Sequence, residues 1–534
     1  MSESVPCDAW NLAKVVQKWA QFRPDKVALR LAGSDYTYRD IDVASSRIAR
    51  QLRDRGCAAG DRVAVLGRNG ATTVNCFLAV LKLGAIYLPL NTRLTTPELL
   101  FQLKDAGASL LLFDDEWRAQ IDSGAIGHEL PELQCIAYSA LGSSPGTGAA
   151  QTSSGPTVEH PSADCVRLDL SGPLALLYTS GTTGEPKGVV TSHLQTFFKA
   201  FQVVNYLDLR ESDVVMTQMP LFHSGALFAL LVPVLSRGAT FVTRETFSAQ
   251  TFLLDLEREA PSVVCCTTTM LRFVMDAMGE QKREFSSVRV LFGGGERTPR
   301  SLLEQIKAVT GLSLRMGYGQ TENSFMALQD AGEVLSHFGS VGRAGFFTDV
   351  WIEGEAAAPG AEGELVACGP TVMSGYWKRP DDTAKAMRNG ALHTGDLGYT
   401  DAGGRLYFVD RQKDMYRSGA ENVSPAEVEK HLLDHPDVAN AAVIGVDDAL
   451  WGEVGKAFVV RRDGCNVDAA ALCEHLAARL ARYKVPKHIE FRDELPLTAS
   501  GKVRKTDLKK ASAAQGGKAA VESPPSGAAA SSKP

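Results

Sequence analysis

The chain has 534 residues, of which 44% are hydrophobic and 22% charged, and its formal net charge at pH 7 is −6. One hydrophobic core does not extend over this length, so we expect at least two domains. No basic block favours nucleic-acid binding, and no apolar run is long enough to span a membrane. The ten cysteines are scattered without a Cys-x-x-Cys pair, which argues against zinc and disulfide frameworks and favours the reducing cytoplasm.

Helical and strand patterns alternate at short spacing through the first part of the chain. Helices are predicted over 12–22, 37–55, 73–83 and 97–105, and strands over 27–31, 62–66, 85–90 and 109–113. Thr37 and Asp40 have the spacing of a capping box, and 33–35 is interpreted as a turn. This alternation predicts crossover connections and a largely parallel sheet. Residues 139–163 are small, polar and rich in proline and glycine, which predicts a surface connection.

An apolar strand at 174–178 leads into a loop of glycines and hydroxyls, followed by Pro186, Lys187 and Gly188. The loop residues are Thr179, Ser180, Gly181, Thr182, Thr183 and Gly184. Glycines let backbone N–H groups approach an anion, hydroxyls add donors, and Lys187 adds a positive charge. The order differs from the usual P-loop, because Glu185 and Pro186 separate Gly184 from the lysine. A solvated turn is the alternative, but the combined pattern favours a polyphosphate-binding loop.

The alternation resumes after this loop. Strands are predicted over 214–219, 239–242, 262–266, 288–292 and 312–316, and helices over 226–235, 249–258, 269–278 and 300–309. Motifs follow several of these strands: Pro220-Leu-Phe-His223, Gly293-Gly294-Gly295 and Gly317-Tyr-Gly-Gln-Thr-Glu322. Ligands of open parallel sheets bind at the carboxyl ends of strands, so these motifs are candidates for one site.

The pattern changes to β-hairpins after residue 362, with strands at 396–399 and 405–409. A polar break at 411–413 is the predicted domain boundary. Beyond it, helices at 424–433 and 467–480 and strands at 438–446, 456–461 and 489–491 predict a small α+β domain. The predicted fold class is therefore α/β: a large N-terminal domain (1–410) of parallel and mixed sheets with helices, and a small C-terminal α+β domain (411–512) on a hinge. Residues 513–534 are predicted to be a disordered tail.

The motifs fall in the order typical of the adenylate-forming superfamily, which this chain resembles over nearly its whole length. That superfamily contains acyl- and aryl-CoA synthetases, firefly-type luciferases and peptide-synthetase adenylation domains. The later matching motifs are Thr394-Gly-Asp396, Arg411, Ser418-Gly-Ala-Glu-Asn422 and Leu495-Pro-Leu-Thr-Ala-Ser-Gly-Lys502-Val-Arg504. The resemblance implies ATP, Mg²⁺ and CoA as cofactor and co-substrates.

The resemblance also implies roles for residues of the large domain. Tyr318, between Gly317 and Gly319, would lie against the adenine, Thr321 would contact the α-phosphate, and Glu322 would hold Mg²⁺. Asp396, assisted by Arg411, would bind the ribose. Gly293 and Gly294 would line the adenine and acyl pockets, where Glu296-Arg297 departs from the family's small continuation. The alternatives are a carboxylate at a helix N-terminus for Glu322, a turn aspartate for Asp396 and a surface arginine for Arg411.

Four further positions complete the predicted site. Lys413 stands where the family has its hinge residue, and Gly419 would let the pantetheine of CoA pass close to the backbone, although Ala420 replaces a glycine beside it. Lys502 would bridge the acid's carboxylate and the α-phosphate during adenylation. His223 resembles the gate of the acyl pocket, with a packed histidine as the alternative. Thr182, Glu322, His223 and Lys502 are thus the predicted catalytic residues.

These inferences predict a carboxylate–CoA ligase. It would convert a monocarboxylic fatty or aryl acid, ATP and CoA into an acyl-CoA through an acyl-adenylate, releasing AMP and pyrophosphate. Transfer to a separate carrier protein is the alternative. Two further alternatives are a luciferase, which uses O₂, and a nucleotide sensor. A sensor would be expected to lose Glu322 or Lys502. A small-molecule acid and CoA are the expected partners, and a homodimer is one expectation for the oligomeric state.

The predicted acid pocket comprises residues 221–229, 293–295 and 317–326, whose side chains are mostly small or apolar. An apolar lining disfavours a second charge, so an uncharged tail is predicted, with Arg297 as the possible cation. The glycines at 293–295 and 317 are expected to leave room for a ring or a chain.

Overall fold

The computed structural model describes residues 11–122, 124–142, 169–179, 186–279, 282–295, 298–354, 359–411, 414–418, 421–448, 452–480, 482–498 and 502–516. These residues divide into two compact units, with the division between residues 411 and 414. The first unit holds two sheets with helices, and the second holds a smaller sheet with helices. The predicted fold class, a large α/β domain followed by a small α+β domain, is confirmed.

The strands of the first unit are β1 (Val27–Leu31), β2 (Ser34–Thr37), β3 (Arg62–Leu66), β4 (Ile86–Pro89), β5 (Leu110–Phe113), β6 (Gln134–Ala137), β7 (Pro173–Thr179), β8 (Lys187–Ser192), β9 (Val214–Met216), β10 (Thr240–Thr243), β11 (Val263–Thr267), β12 (Val290–Gly294), β13 (Leu314–Gln320), β14 (Ser324–Gln329), β15 (Ser340–Ala344), β16 (Asp349–Glu353), β17 (Gly363–Cys368), β18 (Gly375–Tyr376), β19 (Met387–Arg388), β20 (Ala391–Thr400) and β21 (Leu406–Arg411). Its helices are α1 (Leu12–Phe22), α2 (Tyr38–Asp54), α3 (Ala71–Leu83), α4 (Thr96–Ala106), α5 (Arg118–Asp122), α6 (Ala125–Glu129), α7 (Tyr138–Leu141), α8 (His193–Leu207), α9 (Ser224–Ala226), α10 (Val232–Arg237), α11 (Ala249–Glu259), α12 (Thr268–Met278), α13 (Arg300–Thr310) and α14 (Pro380–Ala386). A π-helical segment, Leu227–Leu231, joins α9 to α10.

The larger sheet of this unit has the order β16-β17-β20-β21-β15-β14-β13-β12-β11-β9-β10-β1-β2, with β19 paired to β20. The smaller has the order β18-β8-β7-β4-β3-β5-β6. The segments from β10 to β13 and from β7 to β6 are parallel, as the alternating pattern predicts. Antiparallel strands extend both sheets, and β8 and β18 extend the smaller one on the side where the phosphate loop begins.

Helix α3 and the segment from residue 227 to 235 are buried on nearly all sides, as expected of helices inside a domain. They belong to one core cluster that draws residues from both sheets, including Val63 and Leu174 from the smaller and Phe241 and Val290 from the larger. Burial of this apolar surface is the main force that holds the two sheets of the unit together.

The predicted capping box of α2 forms: Asp40 N–H donates to Thr37 Oγ1 at 3.1 Å, and Thr37 N–H donates to Asp40 Oδ2 at 2.8 Å. The turn predicted at 33–35 forms at Ala32 and Gly33, and Ser34 and Asp35 already belong to β2. Gly33 has a φ of +90° and reverses the chain, so that β2 pairs antiparallel with β1. The glycine that predicted the turn therefore forms a tight hairpin between β1 and β2.

The second unit contains β22 (Tyr416–Ser418), β23 (Glu421–Val423), β24 (Val438–Asp448), β25 (Gly452–Arg461) and β26 (His488–Phe491), with helices α15 (Pro425–Leu433), α16 (Ala469–Ala477) and α17 (Lys505–Gly516). Its sheet has the order β23-β22-β25-β24, and β26 pairs with β25. Helix α17 was not predicted, and it includes residues 513–516 of the predicted tail; residues 517–534 lie outside the described part of the chain. None of the helices that the structure describes has the length and apolarity needed to cross a membrane.

Candidate active site

The predicted phosphate loop connects two antiparallel strands, with Thr179 of β7 paired to Lys187 of β8. The chain therefore passes from strand to strand here, in contrast to the strand-to-helix P-loop. The loop residues Ser180, Gly181, Thr182, Thr183 and Gly184 lie outside the described residues. Both flanking strands are hydrogen-bonded in the sheet, so the position of Lys187 is fixed by their register.

Lys187 and Glu322 both lie against Tyr376, although they come from distant parts of the chain. The Lys187 ammonium forms an ion pair with Asp382 of α14 at 2.8 Å and lies 5.4 Å from the ring centroid of Tyr376. The Tyr376 hydroxyl donates to Glu322 Oε1 at 3.0 Å. Burial, reinforced by the charge of Glu322, raises the pKa of Tyr376, so its hydroxyl stays protonated as a donor. The structure thus brings a cation and a carboxylate of the predicted phosphate site to one tyrosine.

Glu322 lies in the turn between β13 and β14, together with Thr321. Asn323 holds this turn, because its Oδ1 accepts from the Gln320 N–H at 3.0 Å. Ser324 closes it with a φ of +63°, a conformation uncommon for a residue with a side chain. The alternative for Glu322, a carboxylate at a helix N-terminus, is wrong, since the motif is continuous with two antiparallel strands.

Gly319 makes the turn possible. A Cβ at this position would lie 1.6 Å from the carbonyl oxygen of Ser324, which no side chain can occupy. The close approach of the two strands at Gly319 therefore depends on the missing side chain.

Asp396 is the centre of a second group of polar side chains. It is 2% exposed, and its Oδ2 accepts from the Tyr318 hydroxyl at 2.5 Å and from Gln320 Nε2 at 2.9 Å. Its Oδ1 has no hydrogen-bond donor among the described residues, while Arg411 Nε lies 3.4 Å away as an ion-pair partner. A buried carboxylate oxygen without a donor is costly, so Asp396 is suited to receive a hydroxyl from a ligand.

The Tyr318 ring is held between Asp396 and Phe408, whose ring centroid lies 5.7 Å away. Burial and the neighbouring Asp396 carboxylate raise the pKa of Tyr318 well above its usual value, so the hydroxyl remains a donor. Tyr318, Asp396 and Arg411, predicted from separate motifs, are thus brought together.

Gly293, Gly294 and Gly317 come together at the ends of β12 and β13, where Gly294 pairs with Gly317. The expectation that these glycines leave room for a substrate is wrong. A Cβ on Gly294 would lie 2.2 Å from the Gly317 carbonyl oxygen, and one on Gly317 would lie 2.6 Å from the Phe325 ring. A Cβ on Gly293 would lie 3.1 Å from the Cys266 carbonyl oxygen. The missing side chains allow neighbouring strands and aromatic rings to approach, and the space is filled by protein.

His223 precedes α9 as its N-cap residue, and its ring lies 4.6 Å from that of Phe222. The apolar side chains predicted beyond it are buried: Ala226, Leu227 and Phe228 are at most 1% exposed. Arg297, the expected cation of the acid pocket, lies outside the described residues.

The remaining predicted residues follow the division between the units. Lys413 and Gly419 lie outside the described residues, whereas Ser418, beside Gly419, is buried at the end of β22. Lys502 belongs to the second unit and is exposed. Its N–H donates to Thr498 Oγ1 at 3.0 Å, and Leu497 forms a bridge with Val503. A short hairpin therefore presents the Lys502 side chain to solvent.

Three residues at the site were not predicted: Gln320, Tyr376 and Asp382. Gln320 lies inside the recognised motif, and its position two residues after Tyr318 on a strand, with side chains on the same face, was an available signal. Tyr376 and Asp382 follow no chemical pattern in the sequence, and only the pairing of β18 with β8 brings them to Lys187.

Comparison with known proteins identifies the family. The model of the AMP-binding enzyme family matches residues 16–377, and that of the AMP-binding enzyme C-terminal domain matches residues 427–502. Feruloyl-CoA synthase from an Amycolatopsis species is 37% identical over 92% of this chain and 97% of its own length. Fatty acid–[acyl-carrier-protein] ligase from Streptomyces coeruleorubidus is 34% identical over 93% of this chain and 96% of its own length.

The fold is also found in O-succinylbenzoate coenzyme A synthetase from Bacillus subtilis, solved in complex with ATP and magnesium ion. The two superpose with a TM-score of 0.81 at 31% identity, over 93% of this chain and 99% of that one. The predicted activity class, an AMP-forming acid–CoA ligase, agrees with the feruloyl-CoA synthase and the O-succinylbenzoate coenzyme A synthetase. The prediction of the adenylate-forming superfamily is confirmed, and the chain belongs to the AMP-binding enzyme family.

Proposed function

We propose that this protein is an AMP-forming carboxylate–CoA ligase and that the predicted residues act in its two half-reactions. In the first, a carboxylate oxygen of the acid attacks the α-phosphorus of ATP, and the bond to the β-phosphate breaks to release pyrophosphate. In the second, the thiol sulfur of CoA attacks the acyl carbon and loses its proton. The bond to AMP then breaks, and AMP leaves with the electron pair.

The observation that carries this proposal is the buried Asp396 carboxylate. One oxygen is saturated by Tyr318 and Gln320, while the other has no donor among the described residues and has Arg411 at 3.4 Å. A ribose hydroxyl of ATP would supply the missing donor. A carboxylate satisfied only by protein groups would have suited a purely structural role.

Lys187 and Glu322 would serve the phosphates. On ATP binding, the Lys187 ammonium would leave its ion pair with Asp382 and bind a phosphate oxygen, with which it would interact more strongly. Glu322 is suited to hold Mg²⁺, because it offers a hard carboxylate oxygen beside the one that accepts from Tyr376. Mg²⁺ bound there would neutralise the phosphate charge. Thr321 and the hydroxyls of the phosphate loop, including Thr182, would add donors to the same groups.

Lys502 would stabilise the charge that develops during adenylation, and Gly419 would serve the thiol step. We propose that the small domain, 411–512, alternates between these roles about Lys413. A Lys413→Pro variant tests this, since proline fixes φ and hinders rotation. Adenylation should survive while thioester formation falls; two intact rates would contradict the hinge.

The acceptor is tested by measuring pyrophosphate release and product mass with a panel of acids, with and without CoA. CoA-dependent AMP formation with an acyl-CoA product is expected. The alternative, transfer to a carrier protein, is favoured by the similarity to the fatty acid–[acyl-carrier-protein] ligase. Acyl transfer to a purified phosphopantetheinyl carrier protein, with pyrophosphate release but no acyl-CoA, would establish that alternative.

A cytoplasmic location is proposed because all the cysteines that the structure describes are free thiols. A homodimer is proposed from two exposed aromatic side chains, Phe201 and Phe346, which are 49% and 75% exposed. Sedimentation velocity of the full chain measures the second point, and a monomer at all concentrations would contradict it.

A further inference from the structure

Lys199, on α8, is buried in an apolar part of the large unit. Its side chain is 2% exposed, and its ammonium makes one hydrogen bond, to Thr191 Oγ1 at 3.3 Å. No ion pair involves it within the part of the chain that the structure describes. The Phe228 ring lies 6.0 Å from the nitrogen, at the limit of a cation–π contact. An ammonium has three donors, so this charge is incompletely satisfied.

Lys82, the other fully buried lysine among the described residues, shows how an ammonium in this protein can be fully hydrogen-bonded. Its nitrogen donates to the Asp42 carbonyl at 2.9 Å, to Asp42 Oδ1 at 2.6 Å and to Ser46 Oγ at 2.5 Å. All three of its donors have partners, and Asp42 supplies the opposite charge. The contrast indicates that the incomplete satisfaction of Lys199 is a property of its position.

Lys199 lies where the acid is expected to bind. Helix α8 packs against the π-helical segment Leu227–Leu231 and against β14. Phe228, beside the ammonium, belongs to the predicted acid-pocket stretch 221–229. One turn along the same helix, Gln202 Nε2 donates to the carbonyl oxygen of Phe325, in the pocket stretch 317–326. Lys199 is therefore the buried cation between these two stretches.

Burial lowers the pKa of Lys199 to about 8, and the charge of Glu322 opposes that shift. The group is thus still mainly protonated at pH 7. A ligand acceptor would complete the hydrogen bonding of this buried ammonium.

We propose that Lys199 is a specificity-determining residue whose ammonium binds an oxygen acceptor on the tail of the acid, remote from the carboxyl group that is adenylated. The proposal rests on the proposed ligase function and identifies its substrate class. It goes beyond the expectation of an uncharged tail, because it requires an oxygen acceptor on that tail. A phenolic oxygen and a second carboxylate share the required chemistry, and the experiment separates them.

The test uses matched acids that differ only in the tail oxygen. Cinnamate, phenylacetate and octanoate are each compared with the analogue that carries a terminal hydroxyl and the analogue that carries a terminal carboxylate. For at least one scaffold, the wild-type kcat/KM for CoA-dependent AMP formation should be ~10–100-fold higher with a tail oxygen, the range for a hydrogen bond to a charged group. The better of the two analogues identifies the acceptor.

The Lys199→Met variant keeps the length of the side chain and removes the charge. For this variant, kcat/KM with the tail oxygen should differ from kcat/KM without it by no more than ~3-fold. Lys199→Arg should still prefer the acid with the tail oxygen. A merely structural lysine would change the rates with all acids alike and leave the ratio unaltered. The wild-type ratio needs no variant, so it remains decisive even if Lys199→Met is insoluble.

Equal wild-type turnover of matched acids on every scaffold would overturn the assignment, as would an unchanged preference in Lys199→Met. Either result leaves the ligase activity intact and contradicts Lys199 alone. An absence of AMP formation with every acid would instead contradict the proposed function and, with it, this inference.

Discussion

The Tyr318 hydroxyl donates a 2.5 Å hydrogen bond to Asp396 Oδ2, joining a strand of the central parallel region to a strand of the antiparallel extension of the same sheet. Gln320 donates to the same oxygen. Both donors therefore act on one oxygen and orient the other toward a ligand. Asp396 gains a fixed direction from this arrangement, as the proposed binding of ribose would require.

Asp396→Asn should raise the KM for ATP by ~10–100-fold, because it removes the charge that strengthens the ribose hydrogen bond. Tyr318→Phe is the matched control: it removes a donor to Asp396 but leaves the carboxylate, so its effect should be below ~10-fold. Initial-rate kinetics of pyrophosphate release measure both. An Asp396→Asn enzyme with the wild-type KM for ATP would contradict the assignment.

Gly319→Ala should abolish measurable adenylation, since its Cβ would overlap the Ser324 carbonyl oxygen and displace the turn that carries Glu322. Gly332→Ala is the control, because no atom lies within 4 Å of its added Cβ. Adenylation rate and melting temperature are measured for both variants. If Gly319→Ala kept full activity, the turn geometry would not matter for Glu322.

Lys502→Ala should slow adenylation by ~10²–10³-fold, the usual loss when one electrostatic contact to a transition state is removed. Thioester formation from a supplied acyl-adenylate should be much less affected. Lys509→Ala, an exposed lysine on α17, is the control. Equal losses in both half-reactions would contradict a role confined to adenylation.

The stability of the large unit should decrease below neutral pH because of His193. The ring is 2% exposed, and burial lowers its pKa to about 4. Between pH 6.5 and 4 the unfolded chain therefore binds a proton that the folded chain does not, and the free energy of unfolding falls with pH by up to about 3 kcal/mol.

His193→Gln should remove that part of the pH dependence, while His128→Gln, an exposed histidine on α6, should not. Thermal melting at pH 7 and pH 4.5 compares the three proteins. If the melting temperature fell equally for all three proteins, His193 would not be the cause of this pH dependence.

The sequence was sufficient to predict the large α/β and small α+β domains because strand and helix periodicities are local signals. The residues Lys187, Glu322 and Asp396 were found through motifs, and their roles stay predictions. Tyr376 and Asp382 could not be predicted from the sequence, because their position depends on strand pairing between distant segments. Lys199 was overlooked since lysines are almost always exposed. Its neighbours Phe197, Phe198 and Phe201 gave the only hint of an apolar setting.

Strand β18 joins the smaller sheet only after the chain has traversed most of the larger one, and it pairs with β8 at Val189 and Val190. Tyr376, on this late strand, is the link to Glu322. Such non-local pairing requires a long loop to close, which is slow and is completed after the local elements form. The proposed phosphate site therefore requires the chain as far as Tyr376, and a nascent chain that ends before residue 375 is expected to lack ATP binding at Lys187 and Glu322. Nucleotide affinity is thus expected to report the closure of this non-local pairing.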